Sequence, residues 1–316
     1  MELRHLRCFV AVAEELHFGR AAERLHVDQS PLSRTIKELE EELGTALFVR
    51  TTRSTRLTRA GRLFLDHVPR VFTALEQARS SVRAAAAGYD GQLRIALSDG
   101  ITPPRLSSLM AQCRQEDPEI AIHFSEVSLA QQVRGLHDDL YDVGFAQSDH
   151  AGDGILVEPA WSDPLRVAIP ARHPLLAHAR IPLDELMRYP LVMCDARLFE
   201  GYQQQIERVL RSIQAEPLIA ERVSSFDLMM AMVSAGFALA LVGASQIGAS
   251  RAPDIVGRPL AGPVGPNAML TTYVLRRDAD PTDAVSRFIE RVASLESEPA
   301  SPVPANSSEP DKEASL

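Results

Sequence analysis

Hydrophobic residues in the first part of the chain recur at helical spacing. Leu3, Leu6, Phe9, Val10 and Ala13 predict an amphipathic helix at the start. A short helix over Phe18–Leu25 and a tight turn at His26–Val27 lead into a second helix that opens at Asp28. The Asp28 side chain is placed to cap the N–H groups behind it. Leu32, Ile36, Leu39 and Leu43 then stand four, three and four residues apart and make one apolar stripe. Gln29, Ser30, Ser33, Arg34 and Lys37 fall towards the other side. After Leu47 and Phe48, which read as buried, Arg50, Arg53, Arg56, Arg59 and Arg62 recur every third residue, with Thr51, Thr52, Thr55 and Thr58 between them. This composition predicts a β-ribbon. From Arg59 to Ala87 the residues Phe64, Val68, Val71, Leu75, Ala78, Val82 and Ala85 alternate spacings of four and three, a coiled-coil seam that calls for a second copy of the chain. A helix packed on its own domain is the plainer alternative. Pro69 predicts a kink or break in this helix, and Gly88 a stop.

Beyond Gly91 the pattern changes to alternating strands and helices, the mark of an α/β layer fold. Strands are predicted at Gln92–Leu97, Ile120–Val127, Asp142–Ala146, Ile155–Pro159, Leu165–Ile169, Leu191–Cys194, Leu218–Val223, Phe237–Val242 and Leu270–Leu275. Helices are predicted at Arg105–Glu116, Gln131–Leu140, Phe199–Ile213, Phe226–Ala235 and Thr282–Leu295. Such a length divides into two lobes. Ala160–Asp163 crosses into the second and Asn267–Leu270 returns to the first.

A helix that presents Gln, Ser and Arg in its first two turns can read base edges in a major groove, and an Arg/Thr ribbon can hold phosphates, with one arginine able to enter a minor groove. A solvated Arg-rich loop after an ordinary helix pair is the plain alternative. The chain has 316 residues and a net charge of −9, and an acidic total ordinarily argues against nucleic acid. The distribution removes that objection. Residues 1–90 carry 14 basic and 12 acidic side chains, and the other 226 residues carry 19 and 30.

The run FGRAAERLHVDQSPLSRTIKELEEELGTALFVRTTRSTRLTRAG resembles the winged helix-turn-helix of the LysR-type transcriptional regulators. Arg172-His173-Pro174 and Val233-Ser234-Ala235-Gly236 resemble segments of that family's effector domain. The resemblance implies an α-helical winged helix-turn-helix DNA-binding domain over 1–58 and a long linker (dimerisation) helix over 59–90. An α/β two-lobe, periplasmic-binding-protein-like effector domain would cover 91–296, with lobe I at 91–161 and 268–296 and lobe II at 162–267. It also implies base or phosphate contacts from Gln29, Ser33 and Arg34, apolar contact from Pro31, and Arg50 and Arg53 as the ribbon arginines. Asp28 stands where the family usually has Ser or Thr. The implied partners are an inverted-repeat duplex operator, further copies of the chain (a dimer, then a tetramer) and a small-molecule effector, with RNA polymerase left open.

In α/β sheets ligands sit beyond the carboxyl ends of strands. Three strand ends qualify. Ser98-Asp99-Gly100-Ile101-Thr102 follows the first strand, Cys194-Asp195 follows the first strand of the second lobe, and Ser224-Ser225-Phe226 follows the strand at Leu218–Val223 and precedes a helix. Ser98, Thr102 and Ser225 are candidate donors to an effector, and Ile101, Leu129, Phe199 and Phe226 candidate apolar walls. Helix caps and core residues are the plain alternative for each. Asp99 disfavours an anionic effector, which leaves a neutral or cationic one, or an occluded cleft.

The sequence shows no nucleophile elbow, P-loop, dinucleotide fingerprint or zinc-ligand spacing, so neither an enzyme nor a cofactor is expected. Two other readings are a cytoplasmic solute-binding module and a redox-sensing regulator that uses Cys113 and Cys194. No apolar run approaches a membrane span and no signal peptide is visible, so the cytoplasm is expected. Residues 297–316 are rich in Ser, Pro, Glu and Ala and are expected to be disordered.

Overall fold

The computed structural model describes residues 1–50, 55–101, 103–211, 216–250, 252, 254–261 and 268–296; of Arg50, Pro103, Pro104, Leu295 and Glu296 it describes the backbone alone. The expected tail at 297–316 lies outside the described residues. The chain divides into two compact units, Met1–Arg83 and Ala84 onward.

The first unit holds α1 (Leu3–Glu15), α2 (Phe18–Arg24), α3 (Gln29–Leu43), the two-stranded ribbon β1 (Phe48–Arg50) and β2 (Thr55–Leu57), and most of α4 (Arg59–Ala86). Its core forms where the apolar faces of these helices meet. Phe9, fully buried, stacks its ring 5.4 Å from Phe48 and 4.9 Å from Phe64. Leu32, Ile36 and Leu39 of α3 are buried as their spacing requires, whereas Leu43 is 37% exposed. Gly44, with φ +67°, ends the helix one residue later, so the fourth member of the stripe has no neighbouring turn to pack on. Asp28 takes the N-cap position in an extended conformation but makes no side-chain cap bond, which corrects the expectation from sequence. The third helical residue, Pro31, lacks the N–H that such a cap would commonly accept.

Two side-chain links join α3 to the ribbon and α4. The Glu40 carboxylate accepts hydrogen bonds from the backbone N–H groups of Leu47 (2.8 Å) and Phe48 (3.0 Å). The Thr58 hydroxyl donates to the Ala46 carbonyl at 2.8 Å and accepts from Gly61 N–H at 2.9 Å. Gly61 is required there, because a Cβ would lie 2.1 Å from the Leu47 carbonyl oxygen. α4 continues through Pro69 without a break, contrary to the expected interruption. Val68 is buried in the unit's core, but further along the seam Val71 is 44% and Val82 69% exposed.

The second unit contains β3 (Gly91–Leu97), α5 (Pro103–Glu116), β4 (Ile120–Glu126), α6 (Leu129–His137), β5 (Val143–Ala146) and β6 (Ile155–Pro170). Then come α7 (Leu183–Leu186), β7 (Leu191–Cys194), α8 (Glu200–Leu210), β8 (Ile219–Val223), α9 (Phe226–Ser234) and β9 (Ala240–Gly243). The last elements are α10 (Ala244–Ala249), β10 (Ile255–Pro259), β11 (Met269–Arg277) and α11 (Asp283–Glu296). The main sheet runs β10-β6-β11-β5-β3-β4, with β9 also paired to β6, and β7 and β8 form a parallel pair. The two strands expected at 155–159 and 165–169 are one 16-residue strand. It pairs antiparallel with β11 from Ile155↔Arg277 to Pro164↔Met269, and the register shifts at Ala160, between Trp161↔Thr272 and Pro159↔Tyr273. The expected crossing is therefore a bulge inside a continuous ladder. Two separate cores flank it. Ile95, Leu109, Phe145, Trp161 and Phe288 belong to the first lobe, and Val167, Ile169, Tyr202, Met229 and Leu241 to the second. β10, α7 and α10 have no counterpart in the sequence expectations, and β9 begins three residues later than expected, with Phe237 70% exposed ahead of it.

Ile36→Ala should lower the stability of the first unit by about 2–5 kcal/mol, since it empties a fully buried site at the centre of α3. Urea unfolding of the purified protein checks this. A loss below ~1 kcal/mol would show that the site collapses around the smaller side chain.

Candidate functional site

The first two turns of α3 separate their faces cleanly. With Leu32 and Ile36 pinned in the core, Gln29, Ser30, Pro31, Arg34 and Lys37 are exposed and Ser33 is half-buried. The one ion pair shown for these residues joins Lys37 to Glu41 at 3.4 Å, both side chains being largely solvated. Such a pair contributes little and can be exchanged for a phosphate. In the ribbon Val49 pairs with Arg56 and Arg50 with Thr55, and Arg56 is exposed. Arg53 lies outside the described residues, as do residues 51, 52 and 54. Arg62, the last member of the arginine series, lies in the first turn of α4 and donates to the Leu57 carbonyl at 3.1 Å, so it braces the ribbon's exit.

The second candidate site is the cleft between the lobes of the second unit. A cavity of about 360 Å³ is lined from the first lobe by residues 97–101, Glu126, Val127, Ser128 and Gln131, and from the second by Leu198, Phe199 and Ser224. Of the sequence candidates, Ser98, Asp99, Gly100, Ile101 and Phe199 are brought together there. Thr102 lies outside the described residues. Four others are elsewhere. Leu129 packs in a small core with Leu136 and Ala146, and Cys194 is fully buried in the second lobe's core. Ser225 caps α9, its hydroxyl accepting from Leu228 N–H at 3.3 Å. Phe226 sets its ring edge-on to Phe199 (5.3 Å) and Tyr202 (5.1 Å). A Cβ on Gly100 would come within 2.8 Å of both Phe199 and Phe226, so the lobes touch at this glycine, whose φ is +59°.

Ser98 is committed to the protein itself. Its buried hydroxyl has one proton and three acceptors within reach: Asp99 and Gln132 at 3.2 Å and the Phe145 carbonyl at 3.4 Å. Asp99 is 1% exposed and has φ +58°. Its carboxyl is held above the usual carboxylate range, because burial outweighs the backbone N–H groups of Gln147, Tyr202 and Gly201 and the Ser98 hydroxyl, which pull it down. Sequence reasoning missed Glu126, Ser128 and Gln131, and of the strand end Ser224-Ser225-Phe226 that it singled out, it is Ser224 that lines the cavity. The strand-end rule would have found the missed residues had it also been applied to the end of β4. Gln205 also spans the lobes, donating to the carbonyls of Gln147 (2.6 Å) and Thr271 (2.7 Å) and accepting from Thr271 N–H at 2.9 Å.

The cysteines do not form a redox pair. Cys113 lies in the first lobe's core and Cys194 in the second's, and both are free and buried. Burial raises the Cys113 thiol, and burial with the nearby Asp99 charge pushes Cys194 up to about 12. A sensor thiol requires the opposite shift. Among the described residues no group of three or more His, Cys, Asp or Glu side chains could hold a metal ion, and no helix is long and apolar enough to cross a membrane.

Two stretches of the chain match known families. Residues 3–62 match the bacterial regulatory helix-turn-helix protein, lysR family, and residues 86–296 match the LysR substrate binding domain. The chain is 33% identical to the uncharacterized HTH-type transcriptional regulator YnfL of Escherichia coli (strain K12), covering 78% of this chain and 83% of that one. It is 32% identical to the HTH-type transcriptional regulator AlsR of Bacillus subtilis (strain 168), covering 78% and 81%. Among solved structures, full-length CbnR complexed with its target DNA superposes with a TM-score of 0.74 at 28% identity, over 93% of this chain and 100% of that one.

The native protein should be inert to a thiol reagent such as Ellman's at neutral pH, releasing three equivalents only after unfolding. Rapid reaction of Cys113 or Cys194 in the folded protein would overturn the assignment of these residues to the cores.

Proposed function

The chain belongs to the LysR family of bacterial transcriptional regulators, and we propose that it reads an inverted-repeat operator through the first two turns of α3, one chain to each half-site. It is a DNA-binding transcriptional regulator and not an enzyme. The observation that carries the proposal is the division of α3. Its apolar stripe is buried to Leu39, which holds Gln29, Arg34 and Lys37 outward on a rigid support. Arg34 then serves as the base reader, with Gln29, Ser30, Pro31 and Ser33 around it. Lys37, Arg50 and Arg53 supply phosphate or minor-groove contacts.

The seam on α4 supports a second copy as partner. Val71 and Val82 are exposed along one stripe of a 28-residue helix, and such a stripe is covered when two copies align. Pairing through α4 places two α3 helices on a symmetric site, and association of the second units would extend the dimer to a tetramer. A small-molecule effector binds in the interlobe cavity and alters the relation between the lobes; no other cofactor is needed. The site of action is the cytoplasm, where the bacterial DNA lies.

Three substitutions test the DNA reading. Arg34→Ala should cost about 1–3 kcal/mol on the cognate operator and relax preference at one base position, read by gel shift against single-base operator variants. Equal loss on random DNA would remove Arg34 from the specificity set. Arg53→Ala should weaken all sequences alike and reduce the salt slope by about one. Val71→Asp in the seam should shift sedimentation towards monomer and abolish the specific shift. A dimer of unchanged strength would place the interface elsewhere.

A further inference from the structure

The amino terminus of α8, in the second lobe, faces the end of β3 in the first, and a carboxylate already sits on it. Asp99 Oδ1 accepts from the backbone N–H groups of Gly201 (2.9 Å) and Tyr202 (3.4 Å). Its Oδ2 accepts from Gln147 N–H at 3.0 Å and lies 3.2 Å from the Ser98 hydroxyl, whose one proton it shares with Gln132 and the Phe145 carbonyl. Three of these donors are backbone groups, which cannot accept a proton in return, so the set matches an ionised carboxylate. The N-cap residue of α8 is Phe199, which has no capping group, and the cap is supplied from the other lobe instead. α8 approaches the first lobe closely enough that a Cβ on Gly201 would lie 2.4 Å from the backbone of Gln147 and Ser148. The adjoining cavity touches Asp99 and Glu126, and its described lining contains no basic side chain.

We propose that Asp99 is an internal ligand. It holds the anion seat of the cleft and ties the lobes together as a bound carboxylate would, and so determines that the protein's effector is not a carboxylate. The inference rests on the reading of this cleft as the effector site. A free carboxylate entering the cavity would find the helix N–H groups taken and two negative side chains beside it, with no counter-charge. An effector without a carboxylate meets no such opposition.

The backbone makes the test direct. Asp99 occupies the left-handed region, which glycine adopts without strain, and Asp99→Gly removes a group equivalent to acetate. In the full-length chain, acetate should then bind Asp99→Gly saturably and raise its Tm, at least about ten-fold more tightly than wild type, while chloride at equal ionic strength does neither. If Asp99→Gly does not fold, Asp99→Ser, which keeps a short polar side chain, is titrated in its place with the same expectation. Saturable binding of acetate or benzoate to the wild-type protein overturns the proposal whatever the variants do. So does a folded Asp99→Gly or Asp99→Ser that binds no acetate. Gel shifts on the same samples separate this inference from the effector reading. If acetate fills the variant's seat yet leaves operator binding unchanged, the internal ligand stands and the cleft loses its regulatory role.

Discussion

β6 and β11 run antiparallel through both lobes of the second unit, and neither lobe owns a complete sheet. The first lobe adds β5, β3 and β4 beyond β11, and the second adds β9 and β10 beside the far half of β6. A rigid double strand of this kind limits relative motion of the lobes to bending and twisting about its irregular point, the bulge at Ala160. It also decides where the cleft lies. The carboxyl ends of β3 and β4 on one side and of β7 and β8 on the other must face each other across it, so the turns after those strands become the walls.

Much of this was legible because it follows from local periodicity. The stripe on α3, the seam on α4, the ribbon and most strands of the second unit could be read from spacing alone. The failures have distinct physical causes. Leu43 obeys the helical period but stands at the helix end, where there is no neighbour to cover it. β6 looked like two strands because Pro159 and Pro164 bracket Trp161, yet antiparallel pairing tolerates both. β10 (Ile-Val-Gly-Arg-Pro) has too few apolar residues to stand out, and as an edge strand it needs few.

The cleft shows the same boundary between local and distant information. A carboxylate at the end of β3 was visible in the sequence as a difficulty for anionic effectors. Its partners were not, because Gly201 lies 102 residues away and contributes only a backbone N–H. Side-chain identity carries no trace of such a bond. The hydroxyls singled out for an effector, Ser98 and Ser225, turned out to serve the fold itself, one within a buried network and the other as a helix cap. Glu126 to Ser128, which also border the cavity, lie beyond the end of β4, which was not weighed, whereas Ser224 stands beside the hydroxyl that was chosen.

The Glu40 carboxylate, which holds the amides of Leu47 and Phe48, has a consequence for the architecture of promoters. It clamps the start of the ribbon to the last turn of α3, so in the proposed mode of binding helix and ribbon would keep a set phase along the duplex. A difference in spacing between the bases proposed for the helix and the stretch proposed for the ribbon would then be taken up by twist in the nucleic acid, since two hydrogen bonds fix the start of the ribbon to the helix.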